Sequence, residues 1–130
     1  MSELRLLALA TRAHVHQGDD LTTLLLDAVA TAGERLEHHD LVVVTSKVVA
    51  KSEGRVVAFD GTDEHKVSLV EGESVRILRR RGALRITETR HGFVNANAGV
   101  DLSNADEGTA VLLPIDPDRS ARRLRAEIGR

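Results

Sequence analysis

The apolar positions of this chain recur with two different periods. From Leu21 to Leu36, residues Leu21, Leu24, Leu25, Ala28, Val29, Ala32 and Leu36 return every three or four positions, which draws one stripe along an α-helix. Asp20 stands where the N-cap of that helix belongs, so the spacing predicts an amphipathic helix over 21–36. Asp40-Leu41-Val42-Val43-Val44-Thr45 is a β-branched run without polar alternation, the pattern of an interior strand covered on both faces. The compact apolar stretch from Glu3 to Ala10 predicts a first strand, followed by a polar loop through His14, His16 and the turn-like Gly18-Asp19-Asp20.

Beyond the Val-rich run, Ser46 and Lys47 lead into a short helix over 48–52, and Gly54 precedes a strand from Arg55 to Phe59. Residues 60–74 are polar and read as a loop with at most one helical turn. Residues 74–81 read as a short basic helix ending at Gly82, followed by strands over 83–88 and 92–95. Thr109 to Leu113 is again strand-like. Asp116-Pro117 opens a helix that runs to Ile128, with a capping carboxylate and a proline at the first helical position. Strands alternating with helices around a Val-rich run indicate a single α/β or α+β domain, a mixed sheet with flanking helices, without internal repeats. The order of the strands is left open by this pattern.

Composition narrows the function classes. The 130 residues are 42% hydrophobic and 29% charged, as in an ordinary globular protein. Phe59 and Phe93 are the only aromatic residues, so the core is built from aliphatic side chains and base-stacking platforms are unavailable. A net charge of −2 argues against a nucleic-acid or anionic-membrane partner. That balance hides a basic stretch, Arg76, Arg79, Arg80, Arg81, Arg85 and Arg90 against Glu88 alone, which suits either an anionic ligand or a solvated face. With no cysteine there is neither a disulfide framework nor a thiolate nucleophile. The N-terminal apolar stretch is too short for a signal-peptide core or a membrane span, and a cytoplasmic location is expected.

Two segments could carry chemistry. In TSKVVAK, residues 45–51, a hydroxyl and two amines meet the start of a helix, where free backbone N–H groups favour phosphate; the alternative is a Ser46 cap with both lysines solvated. In HGFVNANAGVDLSN, residues 91–104, Asp101 and Asn104 offer oxygen ligands to Mg²⁺ or Mn²⁺; the alternative is an Asx turn at Asp101. His91, after Glu88 and Arg90, is a candidate for substrate contact or a polar strand-end residue. The pairs His14/His16 and His38/His39 lack the spacing of a zinc-binding helix.

Four ordered blocks, GDDL at 18–21, DLVVVTSKVVAKSEGRVV at 40–57, ITETRHGFVNANAGVDLSN at 86–104 and LLPIDPDRSARRLR at 112–125, resemble the coenzyme F420 γ-glutamyl ligase family. The resemblance implies the N-terminal half of a ligase that joins L-glutamate to coenzyme F420-0 through an acyl phosphate, using GTP, Mg²⁺ or Mn²⁺, and K⁺. It places Ser46 and Lys51 on the GTP phosphates, Asn104 on the nucleotide and Asp101 on the metal, with Arg90 and His91 as substrate candidates. The segment 12–15 falls at a further nucleotide loop of the family without matching it. The 59–74 region reads as shorter than in the family, and family members continue for about as long again past the position of Arg130. Either a ligase half incomplete without a further chain or segment, with a homodimer or complementary chain as partner, or a non-catalytic nucleotide- or coenzyme-binding module, is therefore expected.

Overall fold

The computed structural model describes residues 3–11, 14–103 and 106–129. Helix α1 spans Leu21–Thr31. Asp20 caps it: Oδ1 accepts from the backbone N–H groups of Thr22 at 3.0 Å and Thr23 at 3.3 Å, and Oδ2 from the Thr23 hydroxyl at 2.7 Å. These bonds, the Thr23 hydroxyl foremost, hold the Asp20 carboxyl below its ordinary value. The helix ends earlier than its apolar spacing predicts, because Gly33 takes a left-handed φ of +71° and carries Leu36 off the stripe.

Helix α2, Ser46–Ser52, is capped by Thr45. Strand β1, Val56–Ala58, pairs antiparallel with β5, whose residues are Thr109–Val111. Helix α3 is Asp63–Gly72. Strands β2 (Ser74–Arg81), β3 (Leu84–Thr89) and β4 (Val94–Ala96) form an antiparallel sheet in that order, and a 3₁₀ turn, Asn97–Gly99, follows. Helix α4, Pro117–Ile128, closes the described chain, capped by Asp116 Oδ1 at 2.8 Å from Arg119 N–H. Two sheets with flanking helices place the chain in the mixed α/β class expected from its sequence. Among the described residues no helix is long and apolar enough to cross a membrane.

Four expectations are corrected. Residues 60–74 hold a helix rather than a loop: Thr62 caps α3 with its hydroxyl 3.1 Å from His65 N–H, and Asp63 and Glu64 favour its N-terminal turn. Only Val70 is buried on it, so no broad apolar stripe announces it. Residues 74–81 form a strand, not a basic helix; a two-residue loop at Gly82-Ala83, with φ +57° at Gly82, joins it to β3. Register shifts between Ser74 and Arg76 and between Ile77 and Arg79 break its period-two pattern, which hides the strand from sequence. Residues 3–10 and 41–44 make no strand pairing with the described residues, so among these neither the first strand nor the interior strand forms.

Two apolar clusters hold the elements. Leu21, Val49 and Leu124 join α1, α2 and α4, with Val15, Leu24, Leu25, Val44 and Val48 packed around them. Val70, Thr87 and Ala98 are buried where α3 lies over β3 and the 3₁₀ turn, and Thr87 Oγ1 accepts from Ala98 N–H at 3.0 Å. A charged tie links the two sheets: Glu73 meets Arg55 at 2.5 Å and Arg90 at 3.6 Å, while Arg55 Nε donates to Leu113 O at 2.9 Å. Arg55 and Glu73 are largely buried, so removing one partner strands the other's charge. Glu73→Gln is expected to cost roughly 2–3 kcal/mol in a urea titration; a change below about 0.5 kcal/mol, the size of an ordinary surface substitution, would contradict this tie.

Candidate functional site

The sequence placed two chemistry-bearing motifs far apart in the chain, and the fold brings them into contact. The Thr45 hydroxyl accepts from Val48 N–H at 3.4 Å, so Thr45 rather than Ser46 is the cap of α2. Ser46 is freed from capping and lies exposed on the first helical turn. Lys47 and Lys51 are four positions apart and share one face, stacked one turn above the other. Among the described residues Lys51 makes no ion pair, while Lys47 Nζ lies 2.7 Å from Asp101 Oδ2.

Asp101 is fixed from its backbone outward. Its N–H and C=O exchange hydrogen bonds with Val111 at 2.8 and 2.9 Å, which extends the β1–β5 ladder by one bridge. The approach to it is tightly wound: Asn97, Ala98 and Gly99 all take left-handed backbone, at φ +52°, +51° and +70°. Asn97 Oδ1 accepts from Arg85 N–H at 3.0 Å and helps hold this turn. For two consecutive non-glycine residues that conformation costs of order 1–3 kcal/mol each and is kept only where surrounding contacts over-determine it.

The two oxygens of Asp101 have different partners, and the Asx turn read from the sequence is present on one of them. Oδ1 accepts from Ser103 N–H and the Ser103 hydroxyl, each at 2.7 Å, which is the Asx turn, while Oδ2 faces the Lys47 ammonium. Lys47 also donates to Ser103 O at 2.8 Å. The Lys47 contact first, and the Ser103 hydroxyl next, hold the Asp101 carboxyl well below its ordinary 3.8, at about 2. In the metal-free protein a carboxyl depressed in the fold contributes stability above its unfolded pKa and loses it as pH falls through its folded one. About a third of each side chain meets solvent, so after screening the effect is about 1 kcal/mol, lost between roughly pH 4 and pH 2. Urea midpoints across that window should show this loss, and Asp101→Asn should flatten it; an unchanged slope in the variant would remove the pair as its source.

Arg90 and His91, the substrate candidates, are anchored to the protein. Arg90 Nη2 donates to Gly72 O at 3.2 Å and meets Glu73, leaving nearly half its side chain exposed. His91 Nε2 lies 2.7 Å from Pro114 O and 3.1 Å from Ile115 O, and Nδ1 lies 3.3 Å from the Thr89 hydroxyl. Its ring stacks on Phe93. The segment 111–115 therefore meets Asp101 at one end and His91 at the other. Asn104, assigned to the nucleotide by resemblance, lies outside the described residues, as do Arg12 and Ala13 of the 12–15 segment. The side chains in contact with Asp101 are those of Lys47 and Ser103, which the resemblance had not assigned, while Ser46 and Lys51 make no hydrogen bond or ion pair with it. For Lys47 the signal was present in the four-residue spacing of the lysines in TSKVVAK; for Ser103 there was none beyond its place two residues after an aspartate.

The mixed α/β chain thus carries two lysines on one helix face, one of them paired with an ionised aspartate on a wound turn. Residues 11–130 match the family model described as F420-0:Gamma-glutamyl ligase. The coenzyme F420:L-glutamate ligase of Methanothermobacter thermautotrophicus is 38% identical over 125 residues, covering 85% of this chain and 50% of that protein. Those of Methanopyrus kandleri and Archaeoglobus fulgidus are 36% and 34% identical, covering 96% and 88% of this chain and 54% and 49% of their own lengths. The chain belongs to the F420-0:gamma-glutamyl ligase family, and it spans about half the length of these curated relatives.

Proposed function

We propose that this chain supplies the phosphate- and cation-facing part of a GTP-dependent ligase that joins L-glutamate to coenzyme F420-0 in the cytoplasm. The observation that carries this reading is the contact between Lys47 on α2 and Asp101. In this reading the coenzyme carboxylate takes the terminal phosphoryl group of GTP with release of GDP, and the glutamate amine then displaces phosphate from the acyl phosphate to form the amide. Such chemistry asks for positioning and charge neutralisation more than for a covalent nucleophile.

Among the described residues, Asp101 offers one ionised carboxylate, which suits a Mg²⁺ or Mn²⁺ that takes its remaining oxygen ligands from nucleotide phosphates, water and other protein groups. A cation there would neutralise phosphate charge, with K⁺ as a possible auxiliary ion. Lys47 occupies Asp101 in the absence of ligand and exchanges it for a phosphate oxygen when GTP arrives. Ser46 and Lys51 flank that exchange on the same helix, and Asn104, next to Ser103 in sequence, is assigned to the nucleotide. Arg90, through its exposed face, is assigned to a substrate carboxylate, while His91 positions the 114–115 backbone. Completion of the reaction falls to a further segment or chain.

The single carboxylate also fits a second reading, a module that binds nucleotide or coenzyme without turnover. Calorimetric titration of GTP with Mg²⁺ tests what both readings share. Metal-dependent binding should weaken at least about tenfold in Asp101→Ala; equal binding by both proteins would remove Asp101 from the site. Only the ligase reading then predicts amide formation once a complementary half is added.

A further inference from the structure

The run 41–44 keeps the apolar, β-branched character of an interior strand although it is paired with nothing among the described residues. Residues 41–44 line a groove of about 470 Å³ over α1 together with Leu24, Leu25 and Val29, and Val44 packs on the core. Leu41 and Val43 are nevertheless 93% and 91% exposed. Residues 5–9 line the same groove, and Leu6 among them and the adjoining Leu4 are 85% and 82% exposed. Among the described residues no backbone hydrogen bond joins 3–10 or 41–44 to any other segment. A β-branched, apolar, extended backbone with open N–H and C=O groups is a template for strand addition, and a large exposed apolar patch marks an interaction site.

We propose that segments 3–10 and 41–44 form the docking surface for a second polypeptide half, which adds strands to their free edges and covers Leu4, Leu6, Leu41 and Val43. The occupant is the counterpart of the portion of the relatives that this chain does not match, carried on the same chain or on another. The argument for it is length: matches that cover 50%, 54% and 49% of three relatives leave about as much chain again in each. A covering segment must alternate apolar residues to meet this face and supply its own backbone donors and acceptors. The identity of the partner rests on the family reading; the location of the surface rests on exposure and unpaired backbone alone.

Amide hydrogen exchange measured by mass spectrometry, alone and after addition of the unmatched half of the Methanothermobacter thermautotrophicus relative, tests this. Peptides covering 3–10 and 41–44 should exchange fast in the chain alone and slow at least tenfold with the added half. The double variant Leu41→Asp, Val43→Asp should lose that slowing while α4 stays protected, since both side chains are exposed and their replacement leaves the core intact. Unchanged exchange on mixing overturns the proposal. So does a chain that is already dimeric by light scattering, protected at these peptides and dissociated by the double variant, because a second copy then covers the face. The readout does not depend on GTP, so failure here and failure of the nucleotide site are distinguishable.

Discussion

Lys47→Met is expected to change metal and nucleotide binding in opposite directions. In the free protein the Lys47 ammonium occupies Asp101 Oδ2 at 2.7 Å, so a divalent cation must displace a positive charge to reach the carboxylate. Removing that charge frees Asp101, and Mn²⁺ alone should bind at least as tightly as to the unaltered chain. Metal-bound GTP should bind about 10- to 100-fold more weakly, because one charge-assisted hydrogen bond to phosphate is worth roughly 1.5–3 kcal/mol. Methionine retains most of the aliphatic stem, which limits the packing loss. Calorimetry with Mn²⁺ and then with Mn²⁺ and GTP separates the two effects. A variant that weakens both equally would make Lys47 a structural partner of Asp101 and nothing more.

Gly99→Ala is expected to destabilise the protein by about 2–4 kcal/mol, from two independent costs. The residue sits at φ +70°, where an L side chain is strained, and its Cβ would lie 2.7 Å from Leu113 Cδ1 and 2.8 Å from Leu113 Cγ. The Leu113 side chain can turn away in part, but its carbonyl is held by Arg55 Nε at 2.9 Å, so the backbone cannot follow. The turn containing Gly99 also delivers Asp101, two residues on, to Lys47. Chemical denaturation reads the stability, and the same variant should bind metal-bound GTP less well even where it remains folded. A loss under about 0.5 kcal/mol would mean that this turn relaxes freely and does not set the position of Asp101.

Helices α1 and α4 were legible from capping residues and strands β1, β3, β4 and β5 from short apolar runs, whereas α3 and β2 were not. Asp116 and Pro117 announced α4 through capping alone, and Asp20 did the same for the start of α1. The end of α1 was missed because Ala32 and Leu36 kept the apolar spacing while Gly33 broke the backbone. In β2 the alternation is broken by two register shifts, and Arg79, Arg80 and Arg81 mimic a charged helix end. At 41–44 the strand pattern was read from the residues, yet pairing is a property of two segments, and none of the described residues supplies the second. The site shows the same division. TSKVVAK and Asp101 were visible as motifs, but the salt bridge joining them depends on the β5 ladder, which places Asp101 beside Val111.

The central claim is that α2 and the Asp101 turn hold one metal–nucleotide complex. Paramagnetic broadening by Mn²⁺ tests this most directly, because its effect falls steeply with distance and reports on protein and ligand together. The account predicts that Mn²⁺ with GTP broadens the amide signals of residues 46–51 and 101–103 together with the phosphorus signals of bound GTP, and that Asp101→Ala abolishes the protein broadening. Broadening confined to other segments, or persisting unchanged in Asp101→Ala, would contradict it.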